Sequence, residues 1–155
     1  MGILTDDMKR VVTEHRLGFM ATVCPDGTPN LSPKGTTAVY DDDHLVFADI
    51  RSPGTVRNLK RNPSIEINVI DVLVRKGYRF KGTATVHTEG EVVERALELY
   101  DELGFGDYRS RIRGVVLVKV ERVLPLTSPA YDRGLTEDEV RSEYAERFRV
   151  MIERR

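Results

Sequence analysis

"LVFADIRSPGTVRNLKRNP", residues Leu45–Pro63, changes its period partway along. Leu45 to Ile50 is an apolar, β-rich run, and from Ser52 onward the spacing turns helical and basic, with Ser-Pro-Gly-Thr at the join. Ser at the cap position with Pro in the first helical position is a helix start. Gly54 and Thr55 then follow with backbone N–H groups that have no acceptor within the helix. The dipole adds partial positive charge at that end, and Gly54 lets a ligand approach the backbone. The hydroxyls of Ser52 and Thr55 are further donors, a set that suits a phosphate, with Arg51 and Arg57 able to add charge. The same residues also fit a simpler account in which Ser52 caps its own helix and Arg57, Lys60 and Arg61 form a solvated face.

Working outward, Thr5 followed by Asp6 and Asp7 reads as an N-cap with an acidic first turn, and Met8, Val11 and Val12 continue a helix to about Arg16. "LGFMATV" and "LSPKGTTAVY" read as a hairpin around the turn "CPDGTPN", and "DDDH" turns the chain into "LVFADI". Three strands thus precede the basic helix. After Pro63, "SIEINVID" alternates Ile65, Ile67 and Val69 with Glu66 and Asn68. In "YRFKGTATVH", Tyr78, Phe80, Ala84 and Val86 share one face, and Arg79, Lys81, Thr83 and Thr85 share the other. "EVVERALELYDELG" is an amphipathic helix and "RGVVLVKVERVLPL" a sixth strand. Beyond the linker "SPAYDRG", Thr136 and Glu139 form a capping box, and Val140, Tyr144, Phe148 and Met151 make one apolar stripe. Six mostly antiparallel strands with short helices indicate an α+β fold built on a small closed or nearly closed β-barrel, since closure removes exposed edges.

At 155 residues and 40% hydrophobic, with no repeat or low-complexity linker, the chain reads as a single domain, 1–155, ending in a helix over 136–155. A net charge of -1 gives no basic excess for nucleic acid. The charged start and the absence of a long apolar run point away from a signal peptide or a membrane span, toward a soluble cytoplasmic protein. Cys24 is the sole cysteine, which excludes an internal disulfide, and it takes no role. His15, His44 and His87 fall on a helix, a turn and a strand without metal-ligand or triad spacing.

Two further features bear on a site. "SPKG", Ser32–Gly35, lies in the strand before "LVFADI", so pairing of the two would bring Lys34 toward the helix start; an ordinary exposed lysine is the other reading. In "RKGYRFKG", Gly77, Arg79 and Lys81 leave the barrel opposite Tyr78 and Phe80, facing either a ligand or surface carboxylates such as Glu66 or Glu91.

In the order and spacing of these segments, Leu17 to Leu126 resembles the pyridoxamine 5'-phosphate oxidase-like family of FMN-binding split barrels. The carriers are "NLSPKGTTAVYDDDHLVFADI", the "RSPGTVRNLKRNP" helix with its N-L-x-x-N-P segment, "IEINVID" and the strand ending "RFKG". The resemblance implies a homodimer with two FMN molecules in grooves between protomers. By position, Lys34, Gly35, Thr36 and Thr37 match the flavin-lining strand, Ala48 and Asp49 the pair under the ring or ribityl chain, and Ser52, Gly54 and Thr55 the phosphate end. Where relatives often carry Arg-Lys, this chain has Gly54-Thr55, so the missing charge is assigned to Lys34, Arg51 or Arg57. Arg79 and Lys81 lie a position or more beyond the family's flavin-contacting strand residue. The chain has no Trp and ends in a charged helix, unlike the true vitamin oxidase; Tyr131 and Asp132 could instead reach a partner's pocket or pack on their own barrel. The expectation is an FMN-dependent oxidoreductase acting on a small organic substrate. Its alternatives are a flavin- or haem-binding protein without turnover, and an F420-dependent reductase of the same fold.

Overall fold

The computed structural model describes residues 2–154; Met1 and Arg155, the ends of the expected domain and of its last helix, lie outside them. Helix α1 (Asp6–His15) starts on its expected cap, with Thr5 Oγ1 accepting from the Met8 N–H, and packs Val11 and Val12 against the sheet. Strands β1 (Gly18–Val23) and β2 (Pro29–Lys34) form the expected hairpin. Segment 31–40 is not one strand, however. It breaks after Lys34, where Thr37 Oγ1 donates to the Lys34 carbonyl at 2.8 Å, and resumes as β3 (Ala38–Val39), which pairs with β4 (His44–Asp49).

The break makes seven strands rather than six, in the order β2-β1-β5-β6-β7-β4-β3, with β5 (Ser64–Asp71), β6 (Lys76–His87) and β7 (Gly114–Thr127) completing an all-antiparallel sheet. β2 and β3 stand at opposite ends of that order, yet Gly35–Thr37 alone joins them. The sheet must therefore curl until its edges meet, giving the split barrel, with the short turn as its seam. Register shifts at Lys81/Gly82, where β6 approaches β7 so closely that a Cβ on Gly82 would lie 2.0 Å from the Lys119 carbonyl oxygen.

The barrel interior holds Met20, Leu45, Phe47, Ile67, Val69, Phe80, Val116 and Val118, closed over by α1 and by Leu59 of helix α2 (Pro53–Arg61). A second apolar cluster lies outside the barrel, where Ala96 and Tyr100 of helix α3 (Glu91–Glu102) cover Val46, Ala48 and Val115. β4 is thus covered on both faces, which is why "LVFADI" shows no alternation. Helix α4 (Glu137–Glu153) has its capping box, but of the expected stripe only Val140 is buried and Met151 is 52% exposed. Charge and stacking dock it instead: Glu137 bonds Lys76 at 2.7 Å, Arg141 lies 3.7 Å from Asp71, and the Arg75 guanidinium sits 4.9 Å over the Tyr144 ring. No helix among the described residues is long and apolar enough to cross a membrane.

Candidate functional site

The end of β4, the seam turn and the start of α2 converge through a chain of contacts. The Ala48 N–H donates to Thr36 Oγ1 at 3.0 Å, Thr37 ties itself to Lys34, and the Ser52 N–H donates to Asp49 Oδ1 at 3.2 Å. The Lys34 ammonium donates to Ser32 Oγ at 2.6 Å. Burial pushes Lys34 below its ordinary range, and nearby Asp49 partly offsets the shift. A half-buried ammonium with a hydroxyl partner gains from an arriving anion, which restores the charged form that burial disfavours.

At the α2 start, Ser52 occupies the N-cap but its side chain makes no capping bond, so the expected self-capping is absent. The Ser52 backbone N–H, which is not one of the helix's own donors, is taken by Asp49. Pro53 has no N–H, and the Val56 N–H bonds the Ser52 carbonyl at 3.0 Å, which leaves the N–H groups of Gly54 and Thr55 without helical acceptors. A Cβ on Gly54 would meet nothing within 4 Å, so this end of the helix opens to solvent. Arg51 and Arg57 are exposed beside it. Among the described residues no carboxylate comes within 4.0 Å of the charged nitrogens of Lys34, Arg51 or Arg57. Two free donors, open space and unneutralised cations fit the phosphate of a nucleotide-like cofactor.

Not every expected residue offers its side chain. Thr37 is buried facing the barrel, where it fills the space a Cβ on Gly18 would need, and Ala48 is buried beneath α3, so neither side chain opens onto the seam. Ser52 and Thr55 are likewise buried, while Gly35 is exposed on the turn. Arg79 and Lys81 do face outward, but both engage Glu66, with Arg79 Nε 2.9 Å from Oε1 and Lys81 Nζ 3.2 Å from Oε2. β7 separates their strand from β4, so within one chain they do not join the seam. Lys81, with Glu66, lines a groove of about 510 Å³ across β1, β5, β6 and β7 that none of the seam residues lines. Tyr131 packs on its own barrel, its hydroxyl donating to the Val74 carbonyl at 2.6 Å and its ring 4.2 Å from Lys76 Nζ; Asp132 is exposed.

Two contributors escaped the sequence reading. Asn58 is buried, and its Nδ2 donates to Thr22 Oγ1 at 3.1 Å, locking α2 against β1; a polar residue between Thr55 and Leu59 on the inward helix face was its signal. Tyr100 lies directly behind Ala48, and nothing local in the sequence marks what it covers. The three histidines pair apart, His15 with Asp71, His44 with Asp41 and His87 with Thr85, and no metal-binding cluster occurs among the described residues.

The curled sheet, the seam and the α2 start agree with a family comparison: the pyridoxamine 5'-phosphate oxidase family profile matches residues 4–127, and the chain belongs to this family. HupZ from Group A Streptococcus is 31% identical with a TM-score of 0.72, over 81% of this chain and 96% of that one. A putative pyridoxamine 5'-phosphate oxidase from Lactobacillus delbrueckii is 26% identical with a TM-score of 0.64, over 78% and 93%. An uncharacterized protein of Methanocaldococcus jannaschii is 28% identical over 139 residues, 88% of this chain and 90% of that one. An FMN-binding protein of Syntrophomonas wolfei (17%, TM-score 0.68), an F420 reductase (20%, 0.59) and the haem storage protein HutZ of Vibrio cholerae (20%, 0.62) share the fold alone.

Proposed function

We propose that this chain is a cytoplasmic FMN-dependent oxidoreductase that acts on a small organic substrate. The observation that carries the reading is the open α2 start, with free Gly54 and Thr55 N–H groups beside Lys34, Arg51 and Arg57. Those groups hold the phosphate; the seam backbone from Gly35 to Thr37 and at Ala48 and Asp49 runs along the remainder of the cofactor. Bound flavin supplies the hydride or electron chemistry, and the protein supplies orientation and polarity around it.

The proposal includes a homodimer. Phe19 and Leu31 stand exposed together on the outer face of β1 and β2, Leu31 at 66%, in line with Asn68, Glu66, Arg79 and Lys81. A second copy on this face covers the apolar residues and brings Arg79 and Lys81 to the partner's ligand.

Mass spectrometry of the small molecule that copurifies, followed by anaerobic reduction with a nicotinamide, tests the reading: FMN that bleaches supports it, and a protein that retains no flavin removes it. F420 is the second reading, because the α2 start recognises phosphate rather than ring and a reductase of that cofactor shares the fold. A flavin no donor reduces, or bound haem, would instead identify a binder without turnover.

A further inference from the structure

Away from the seam, a concavity of about 410 Å³ lies where β1 begins and β5 ends. Leu17, Phe19, Ile70 and Val72 line it together with Phe148 of α4, and Leu17 and Val72 are 45% and 52% exposed. Small-molecule sites run from about 300 to 1,000 Å³ and combine such an apolar lining with a few polar groups. None of the seam residues takes part, and Phe148 lies beyond the segment 4–127 that the family profile matches.

The polar lining residues are His15 and Arg75. His15 is committed, its buried Nε2 lying 3.5 Å from Asp71 Oδ2. Asp71 is satisfied without Arg75: its Oδ1 accepts from the Leu73 and Val74 N–H groups at 2.8 and 3.2 Å, and Arg141 lies 3.7 Å from Oδ2. Among the described residues no carboxylate comes within 4.0 Å of the Arg75 guanidinium, and its nitrogens make no hydrogen bond. What holds the group is its position 4.9 Å over the Tyr144 ring, a contact that uses its charge and leaves its N–H donors free. The Arg75 backbone is left-handed, with φ at 58°, a conformation that glycine adopts without the steric cost an L side chain incurs. The turn gives no reason of its own for an arginine there.

We propose that this pocket binds an apolar molecule carrying a single carboxylate, with the Arg75 fork holding the carboxylate and the five apolar side chains covering the hydrocarbon body. A planar guanidinium matches a carboxylate with two parallel hydrogen bonds, whereas a doubly charged phosphate would be only half neutralised by one free cation. The inference is independent of the flavin reading. Phe19 also belongs to the face assigned to a second copy, so that copy is the competing occupant.

The test is calorimetric titration of octanoate, with octanol as the neutral control, into wild type, Arg75→Gln, Arg75→Gly and Val72→Asp, with urea unfolding and sedimentation of each. Wild type should bind octanoate at least about 10-fold more tightly than octanol, the size of one charge-assisted contact. Arg75→Gln should abolish that preference and leave octanol binding unchanged, while Val72→Asp should weaken both. Arg75→Gly should lose octanoate yet be at least as stable as wild type, because relief of the left-handed backbone outweighs an exposed cation–π contact. Wild type that does not prefer octanoate, an unchanged preference in Arg75→Gln, or an octanoate loss matched by lost stability in Arg75→Gly each overturn the assignment. Octanoate that binds only by splitting dimers gives the pocket to the second copy and overturns it as well.

Discussion

Replacing Gly54 by Glu separates anion binding from folding, because the two should respond with opposite sign. Gly54 is the second residue of α2, its φ lies outside the left-handed region, and a Cβ there meets nothing within 4 Å. For the fold, removing a helical glycine gains up to about 1 kcal/mol, and a carboxylate in the first turn gains roughly 0.3–1 kcal/mol from the dipole. Apo stability should therefore rise by about 1 kcal/mol. For the ligand, the new carboxylate stands beside a phosphate held by the Gly54 and Thr55 N–H groups. Two unit charges about 4 Å apart repel by ~1 kcal/mol in water and ~4 kcal/mol at an effective dielectric of about 20, and the open site favours the lower figure. With close to two charges on the phosphate, the loss is about 2 kcal/mol, roughly 30-fold in affinity. Thr55 is a poorer position for this test, since at 3% exposure a carboxylate there would be buried and would unfold the chain for its own reasons. The assay is fluorescence titration with FMN and, as a control lacking the phosphate, riboflavin. Unchanged FMN affinity, or an equal loss for riboflavin, would refute the placement of the phosphate at α2.

Lys34→Met should weaken FMN binding and stabilise the apo protein. Because burial lowers the folded-state pKa of Lys34, the unfolded chain binds more protons between that depressed value and the ordinary 10.5, so wild-type stability should rise with pH across this alkaline window and the variant should flatten the rise in urea titrations. Asn58→Ala removes the buried bond that ties α2 to Thr22, whose hydroxyl keeps Asn30 Nδ2 at 3.3 Å, and should cost about 1–2 kcal/mol, read as a lower urea midpoint. Phe19→Asp combined with Leu31→Asp should give monomers in sedimentation with weakened FMN binding; dimers at unchanged affinity would place the partner surface elsewhere. Arg79→Ala and Lys81→Ala should each lower FMN affinity with a salt-dependent effect and a small change in stability, since both are exposed partners of Glu66; wild-type affinity in both removes β6 from the site.

The strands with one solvated face were legible because period two was written into them, as in Ile65, Ile67 and Val69 against Glu66 and Asn68. The break between β2 and β3 was not, because Thr36 and Thr37 are both strand formers. What bends the chain there is the bond from the Thr37 hydroxyl to the Lys34 carbonyl, a contact without a compositional signal. The helix start at Ser52 was legible from Pro53, but not that its side chain would leave the start uncapped while Asp49, three residues earlier, takes the Ser52 N–H. The α4 stripe was overread: helical spacing shows which residues share a face, not how far along the helix a neighbour extends, and contact fades beyond Tyr144 and Phe148. Tyr100 sat on a helix whose amphipathicity was plain, yet Val46 and Ala48, which it covers, lie far away in sequence and only the fold joins them.

β4 and β7 form a wall shared by both apolar clusters, Phe47 and Val116 turned to one side and Val46 and Val115 to the other. Neither cluster can come apart without exposing a face of that wall, so the barrel and α3 should melt together, with the β4 and β7 amides exchanging hydrogen last and those of edge strand β2 early. Because Thr36 and Asp49 sit on the margin of this wall, a ligand clamped at the seam should slow exchange as far away as α3, on the opposite side from the barrel interior, without touching it.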